Sequence, residues 1–318
     1  MRTVPPSHTP ALLRIGTRKS ALARFQTDQV RGFLAAANPT LRIEIETFTT
    51  QGDKNLSAAL PEVGGKGVFT AELEAALLAG AIDIAVHSLK DLPTETPAGL
   101  ALGAVPRRAN PADVLVSAAG HTLSSLPRGA AVGTSSPRRA SQLLHIRRDL
   151  RILDIRGNVD TRITRALDKD GPYDAIVLAY AGLDRLGRLD AVSEVLDFDV
   201  MLPAPGQGAL AVQCRDDPSV VTLVRSINHD ETEIAVTAEK AFLAGLGGGC
   251  SLPICALASV ENTKLRLRGR VASRDGSNCV DVAGDAVSAD LSGAREVGEK
   301  LARAALDNGA AEILGSGA

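Results

Sequence analysis

The sequence predicts α/β domains with mostly parallel sheets, followed by a small C-terminal α+β domain. Short apolar or alternating runs that suit strands recur through the first two-thirds of the chain, separated by stretches of helical periodicity. That alternation argues for sheets covered by helices. After Asn228 the order changes to a helix, then alternating strands, then a last helix. Segments near Pro106–Pro111, near Pro203–Pro205 and near Asn228 supply candidate boundaries, and 318 residues suffice for two or three domains.

Met1 to Ala11 holds Pro, Ser and Thr but no apolar signal core, and reads as a short disordered tail on a cytosolic protein. From Ser20 to Ala36, Leu22, Phe25, Val30, Phe33 and Leu34 fall near one helical face. Leu41-Arg42-Ile43-Glu44-Ile45-Glu46 alternates strictly, as a half-buried strand does. A helix follows at Thr70–Leu78, with Thr70 as N-cap and Glu72 near the positive end of the helix dipole. Ile82 to His87 is a further strand. Asp113–Ser117, Ala131–Gly133, Arg151–Ile155, Ala175–Ala181 and Ala209–Cys214 are short apolar runs that suit buried strands. Pro203 and Pro205, leading into Gly206-Gln207-Gly208, suggest a hinge. Beyond Asn228, a helix carrying Val236, Phe242 and Leu243 leads to a glycine loop, with strands at Leu265–Arg268 and Val280–Val287 and a helix at Ala294–Leu306. The expected domains are 12–108 with 207–227, then 109–206, then 228–318.

Composition excludes several classes of function. Aromatics are 3% of the chain and Trp is absent, so base stacking has little material, and a net charge of −2 offers no general polycation to nucleic acid or membrane. There is no long apolar run for a membrane-spanning helix. The four cysteines, Cys214, Cys250, Cys255 and Cys279, form no CxxC pair and His is sparse, so no metal site is expected. Of the 35 basic residues 27 are Arg, and eight of these lie between Arg138 and Arg165. Arg grips carboxylate or phosphate with a planar two-pronged fork.

The candidate chemistry sits at strand ends. Gly133-Thr134-Ser135-Ser136-Pro137-Arg138-Arg139 follows a strand, with Ser136 suited to the N-cap and Pro137 to the first helical turn. Unpaired N–H groups at such a helix start, beside Thr134, Ser135, Arg138 and Arg139, make an anion receptor. Arg156-Gly157-Asn158-Val159 follows the next strand, with Arg162 in the helix beyond. Gly16-Thr17-Arg18-Lys19-Ser20 repeats the theme, with Thr17 as N-cap. His87-Ser88-Leu89-Lys90-Asp91 also follows a strand; His87 reads as structural, and Asp91 as a capping group, a general acid or a stabiliser of developing positive charge. Gly64-Gly65-Lys66-Gly67 lacks the spacing of a nucleotide loop and reads as a lid or turn. Gly247-Gly248-Gly249-Cys250-Ser251-Leu252-Pro253 either caps a helix or presents Cys250 for covalent chemistry. Together these features suit a polyanionic substrate handled through a tethered intermediate.

With these motifs in family order from Arg14 to about Leu314, the sequence resembles the porphobilinogen deaminase (hydroxymethylbilane synthase) family. Arg14-Ile15-Gly16-Thr17-Arg18, Val63 to Gly67, Ala85 to Asp91, Val132 to Arg139, Arg156 to Val159, Tyr173 to Ile176, Pro205 to Gly208 and Gly248-Gly249-Cys250 carry the resemblance. It implies two periplasmic-binding-protein-like α/β domains and a third, cysteine-bearing domain. It implies a dipyrromethane cofactor held by Cys250 through a thioether, to which four porphobilinogen molecules are added with loss of ammonia. The linear tetrapyrrole is then hydrolysed off as hydroxymethylbilane. By the same resemblance Asp91 is catalytic. Lys90, Ser88, Thr134, Ser136, Arg138 and Arg139 bind the cofactor. Arg18, Ser20, Gln26, Arg156, Arg162 and Arg185 bind the substrate and growing chain. A cytoplasmic monomer is implied, with no nucleic-acid or membrane partner. Glu62 stands where some members carry Lys, and Cys255 where a small residue is usual.

A two-lobed anion-binding module would share the lobes but needs neither Asp91 nor the Cys250 loop. A cysteine hydrolase needs a His base, and none is obviously placed.

Overall fold

The computed structural model describes residues 12–50, 70–249 and 252–315. The first third of the chain forms β1 (Leu12–Arg18), α1 (Ala21–Ala37), β2 (Arg42–Phe48), α2 (Ala71–Leu78), β3 (Ile84–Ser88) and β4 (Leu100–Ala104). The middle forms β5 (Asp113–Val116), β6 (Ala131–Gly133), α3 (Pro137–Ile146), β7 (Arg151–Leu153), α4 (Val159–Leu167), β8 (Ala175–Ala179), α5 (Tyr180–Arg185) and β9 (Glu194–Val195). The last third forms β10 (Leu210–Arg215), α6 (Pro218–Arg225), α7 (Asp230–Gly245), β11 (Ile254–Glu261), β12 (Lys264–Ala272), β13 (Cys279–Asp285), α8 (Leu291–Ala305) and α9 (Ala311–Gly315). Two compact units result. One comprises Met1–Arg107 and Leu210–Asp230, the other Arg108–Ala209 and Glu231–Ala318.

The first unit is a five-stranded sheet in the order β2-β1-β3-β10-β4. Leu13, Ile15, Ile84, Val86 and Val212 pack with Val30, Leu34, Leu223 and Val224, so α1 and α6 share one apolar cluster with the sheet. Ala85 joins Leu73, Ala76, Leu77 and Ile82 in a second cluster, with α2. Gly16 is needed where β1 meets that cluster: a Cβ there would collide with Ile82 and lie 2.9 Å from Leu73.

The second unit holds two sheets. One has the order β7-β6-β8-β5-β9, with Leu143 of α3 in one core cluster and Ile163 of α4 and Leu183 of α5 in another. The other is the antiparallel sheet β11-β12-β13, packed by α7 and α8 around the fully buried Phe242. Burying a ring of that size contributes about 1.5–3 kcal/mol.

Two α/β sheets and a small C-terminal antiparallel sheet with its helices are the fold class expected, but the expectation of mostly parallel sheets is corrected. In the first sheet β1 runs parallel to β2 and β3, whereas β10 is antiparallel to both β3 and β4. In the second, β6 runs parallel to β7 and β8, whereas β5 is antiparallel to β8 and β9. Apolar runs reveal that a strand is buried, not which way it runs. Strands β4, β9 and β11 were not anticipated.

Candidate active site

In the first unit the parallel strands β1 and β3 carry their carboxyl ends to one edge of the sheet, the edge where ligands bind in open α/β folds. Arg18 ends β1 and Ser88 ends β3. A 3-10 turn, Leu89–Asp91, then holds Lys90 and Asp91 just beyond the strand. Leu89 is buried and pins that turn to the core. Asp91 is exposed, and among the described residues its carboxylate has no hydrogen-bond or ion-pair partner. Gln26, buried on α1, donates from Nε2 to the Ser88 hydroxyl at 2.9 Å, so α1 fixes the end of β3.

Thr17 is not the cap of α1; it is buried inside β1, and its hydroxyl donates to the Ala23 carbonyl. Ser20 is the cap, its hydroxyl accepting from the Ala23 N–H at 3.2 Å. His87 is buried, and burial first, with the positive Arg18 adding to it, lowers its pKa to about 4, the neighbouring Gln213 opposing the shift. It is a neutral core histidine, as expected.

In the second unit β6, β7 and β8 are again parallel and deliver three loops to one edge. After β6, Ser136 takes the N-cap position of α3 and Pro137 the first turn, as read from the sequence. The Ser136 N–H donates to the Thr134 hydroxyl at 3.2 Å, shaping the turn. Ser135 is not available to a ligand in the way expected: its hydroxyl donates to the Ile155 carbonyl and accepts from the Ile155 N–H. Arg138 and Arg139 turn inward, buried against Asp113 at the start of β5, at 2.7 and 2.8 Å. Burial would raise the Asp113 pKa, but the two guanidinium groups outweigh it and hold the carboxyl well below the usual range.

After β7, Arg156 lies 3.7 Å from the exposed Asp154. Asn158 caps α4 through its Oδ1, which accepts from the Thr161 N–H and hydroxyl. Arg162, one turn in, donates from Nε to the Gly157 carbonyl at 2.8 Å. Its pKa falls to about 10, first through burial and then through the positive charges of Arg139, Arg156 and Arg165. After β8, Arg185 closes α5 and donates to the Gly208 carbonyl at 2.8 Å, while its Nε is buried without a partner. Burial lowers its pKa to about 10 as well. Among the described residues no carboxylate pairs with Arg162 (Arg185's neighbour Asp184 acts only at a distance). Both remain charged at neutral pH, so the edge is a set of mutually repelling cations that an anion relieves.

Cys250, Glu62 and the Gly64–Gly67 segment lie outside the described residues. The approach to Cys250 is described. Helix α7 ends in a glycine cap, Gly248 N–H donating to the Leu243 carbonyl at 2.9 Å and Gly247 N–H to Ala244 at 3.0 Å, with φ of +80° at Gly247. The glycines thus stop the helix just before Cys250, and Leu252 N–H donates to the Gly249 carbonyl beyond it. Cys255 is fully buried in β11, and burial pushes its pKa up to about 12. Cys214 is fully buried too, and burial pushes it up to about 11. Neither is a ready nucleophile.

Asp113, expected only as the start of a strand, and Gln207, expected only in a hinge motif, also contribute to the site. Gln207 donates to both the Pro111 carbonyl and Asp113 Oδ1. The segment expected as a hinge is tied down: Gly206 N–H donates to Glu239 Oε2, and Gly208, at φ +85°, sits too close to the Ala109 carbonyl to admit a Cβ. The one sequence signal was the Arg138-Arg139 pair itself, two adjacent cations at a helix start that both need a partner if buried.

Residues 13–222 match the family model described as porphobilinogen deaminase, dipyromethane cofactor binding domain, and residues 233–307 match porphobilinogen deaminase, C-terminal domain. A porphobilinogen deaminase of Pelotomaculum thermopropionicum is 50% identical over 303 residues, covering 95% of this chain and 96% of its own. One from Roseiflexus is 51% identical over 265 residues, covering 83% and 87%. One from Moorella thermoacetica is 49% identical over 303 residues, covering 95% of both chains.

Proposed function

The chain belongs to the porphobilinogen deaminase family, and from that premise we propose that it joins four porphobilinogen molecules on a dipyrromethane cofactor borne by Cys250, using Asp91 as the catalytic carboxylate. The observation that carries the reading is the edge of arginines without matching carboxylates among the described residues, the half-buried Arg162 and the buried Arg185 foremost. Each pyrrole unit bears an acetate and a propionate, so cofactor, substrate and product are polycarboxylates. The orphaned Arg185 Nε and the Arg162 guanidinium, which has no carboxylate partner among the described residues, fit such groups.

When bound, dipyrromethane supplies the pyrrole carbon onto which the substrate units are joined. The chain's own residues do the rest. Arg18, Arg156, Arg162 and Arg185 hold substrate carboxylates and set the register of the reacting ring. Ser20 and Gln26 shape the substrate's surroundings. Arg138, Arg139, Thr134, Ser136, Ser88 and Lys90 hold the cofactor. Breaking the substrate's C–N bond releases ammonia and leaves a methylene-pyrrole cation. Asp91, ionised, stabilises that cation; its carboxyl also carries a proton to the leaving amine and takes one back from the ring carbon once the new C–C bond has formed. An exposed carboxylate on a turn that the buried Leu89 pins to the strand end, with no partner among the described residues, suits that work.

The same reading includes three domains, 12–108 with 207–227, 109–206 and 228–318, in a cytoplasmic monomer without nucleic-acid or membrane partners. No helix among the described residues is long and apolar enough to cross a membrane.

Intact-protein mass tests the attachment. The wild-type chain, incubated with porphobilinogen, should exceed its polypeptide mass by two linked pyrrole units. Cys255→Ala should keep that excess and Cys250→Ala should lose it. A wild-type chain that stays at its bare mass would shift the reading to an anion-binding module without catalysis.

A further inference from the structure

Asp113 has no part in the chemistry above, yet it is fully buried and stands at the centre of the second unit's polar contacts. Its Oδ1 accepts from Arg139 Nε at 3.1 Å, from Arg139 Nη2 at 2.8 Å and from Gln207 Nε2 at 2.9 Å. Its Oδ2 lies 2.7 Å from Arg138 Nη1. Backbone carbonyls complete the hold on each cation: Val177 accepts from Arg139 Nη1 at 3.0 Å, and Leu202 from Arg138 Nη1 at 2.7 Å. Resting on the functional reading above, we propose that Asp113, itself fixed by Gln207, is a positioning residue that sets the planes of the Arg138 and Arg139 guanidinium groups for the cofactor's carboxylates.

The physical case is geometric. A guanidinium is a planar fork with five N–H donors, and Arg139 spends three of them on Asp113 and Val177, which leaves two in a fixed plane. One carboxylate set against two guanidinium groups also leaves an uncompensated positive charge. Asp113 therefore stops the two cations from repelling each other out of place without cancelling their attraction for an anion. Gln207 holds the carboxylate from the other side, anchored in turn to the Pro111 carbonyl at 2.7 Å.

The test uses the full chain, prepared without cofactor and loaded with porphobilinogen while intact mass is followed. Asp113→Asn should load about tenfold more slowly than wild type, the effect of one misaligned charge-assisted hydrogen bond. Arg139→Gln should cost a similar factor, and the double variant no more than the worse single, because Asp113 acts through the arginine. Multiplying effects would assign Asp113 a merely structural role and overturn the proposal, as would an Asp113→Asn chain that loads at the wild-type rate. Gln207→Met keeps both ion pairs, so it decides the matter if Asp113→Asn fails to fold. It should load about threefold more slowly, a weaker effect because only one hydrogen bond to Asp113 is lost; a wild-type rate would sink the idea. A wild-type chain that never gains the two-pyrrole mass refutes the functional reading itself, a result distinct from a loaded wild type with an indifferent Asp113.

Discussion

Asp91 and His87 sit four residues apart at one strand end and meet opposite demands. Asp91 is exposed and unpartnered among the described residues, so its charge is free to answer a cation. Asp91→Asn removes that charge at nearly constant shape and should lower turnover by about a hundredfold or more while leaving the cofactor bound. Steady-state rates alongside intact mass check this, and near-normal turnover would strip Asp91 of its role. His87 is buried, and a proton on it has no partner at Nε2. Its pKa is about 4 in the folded chain, against 6.5 when exposed. Between those values the unfolded chain binds the proton and the folded chain does not. The contribution of His87 is therefore complete above pH 6.5 and is lost as pH falls towards 4, with a limiting slope of about 1.4 kcal/mol per pH unit. Urea midpoints at pH 7, 6 and 5 should fall in wild type and flatten in His87→Gln; an identical fall in both would assign the slope to other groups.

At the scale of elements, the site is a property of strand ends and helix starts. Helix α3 presents Arg138 and Arg139 from its first turn and is held at its far end by the β12–β13 turn, where the Gly276 carbonyl lies 3.0 Å from His145 Nδ1. Gly276 has φ +70°, and a Cβ there would stand 2.6 Å from the Ser141 carbonyl oxygen. Gly276→Ala should cost about 1–3 kcal/mol, read as a lowered melting temperature, because strain and a backbone clash add. An alanine variant as stable as wild type would mean that the turn does not seat α3.

This scale also explains what the sequence made legible. Arg156, Arg162 and Asp91 were readable because each lies within a few residues of a strand that periodicity reveals. Thr17 was mistaken for a cap because Thr17 and Ser20 are both capping residues, and only the pairing of Thr17 with Thr47 in the sheet separates them. Leu100–Ala104 was overlooked because alanine and glycine give a weak strand signal. Asp113 and Glu239 stayed hidden because they act across 26 and 131 residues of chain, where no local pattern reaches.

For the molecule as a whole, Glu239 is the clearest long-range tie within the second unit. It lies on α7, fully buried. Its Oε1 accepts from Arg108 Nη1 at 2.6 Å and from the Ala258 N–H at 2.8 Å; its Oε2 accepts from Arg108 Nη2 at 3.1 Å and from the Gly206 N–H at 2.6 Å. One carboxylate thus joins α7, β11, the 203–208 segment and the start of the second unit. Helix α7 leads the chain to Cys250 and β11 takes it onward, so the described segments on both sides of Cys250 hang from this anchor. Glu239→Ala would leave the largely covered Arg108 guanidinium without its carboxylate, holding only the Nε bond to the Gln207 carbonyl, and two backbone N–H groups without that acceptor. The expected cost is about 3–5 kcal/mol. Because every lost bond starts from α7 and one of them ends on β11, the damage should concentrate at the C-terminal sheet: hydrogen exchange in β11, β12 and β13 should accelerate ahead of β5 to β8, and urea unfolding should broaden. A Glu239→Ala chain that unfolds in a single transition within about 1 kcal/mol of wild type, the range of an ordinary surface substitution, would show that apolar packing around Phe242 holds the C-terminal sheet without it.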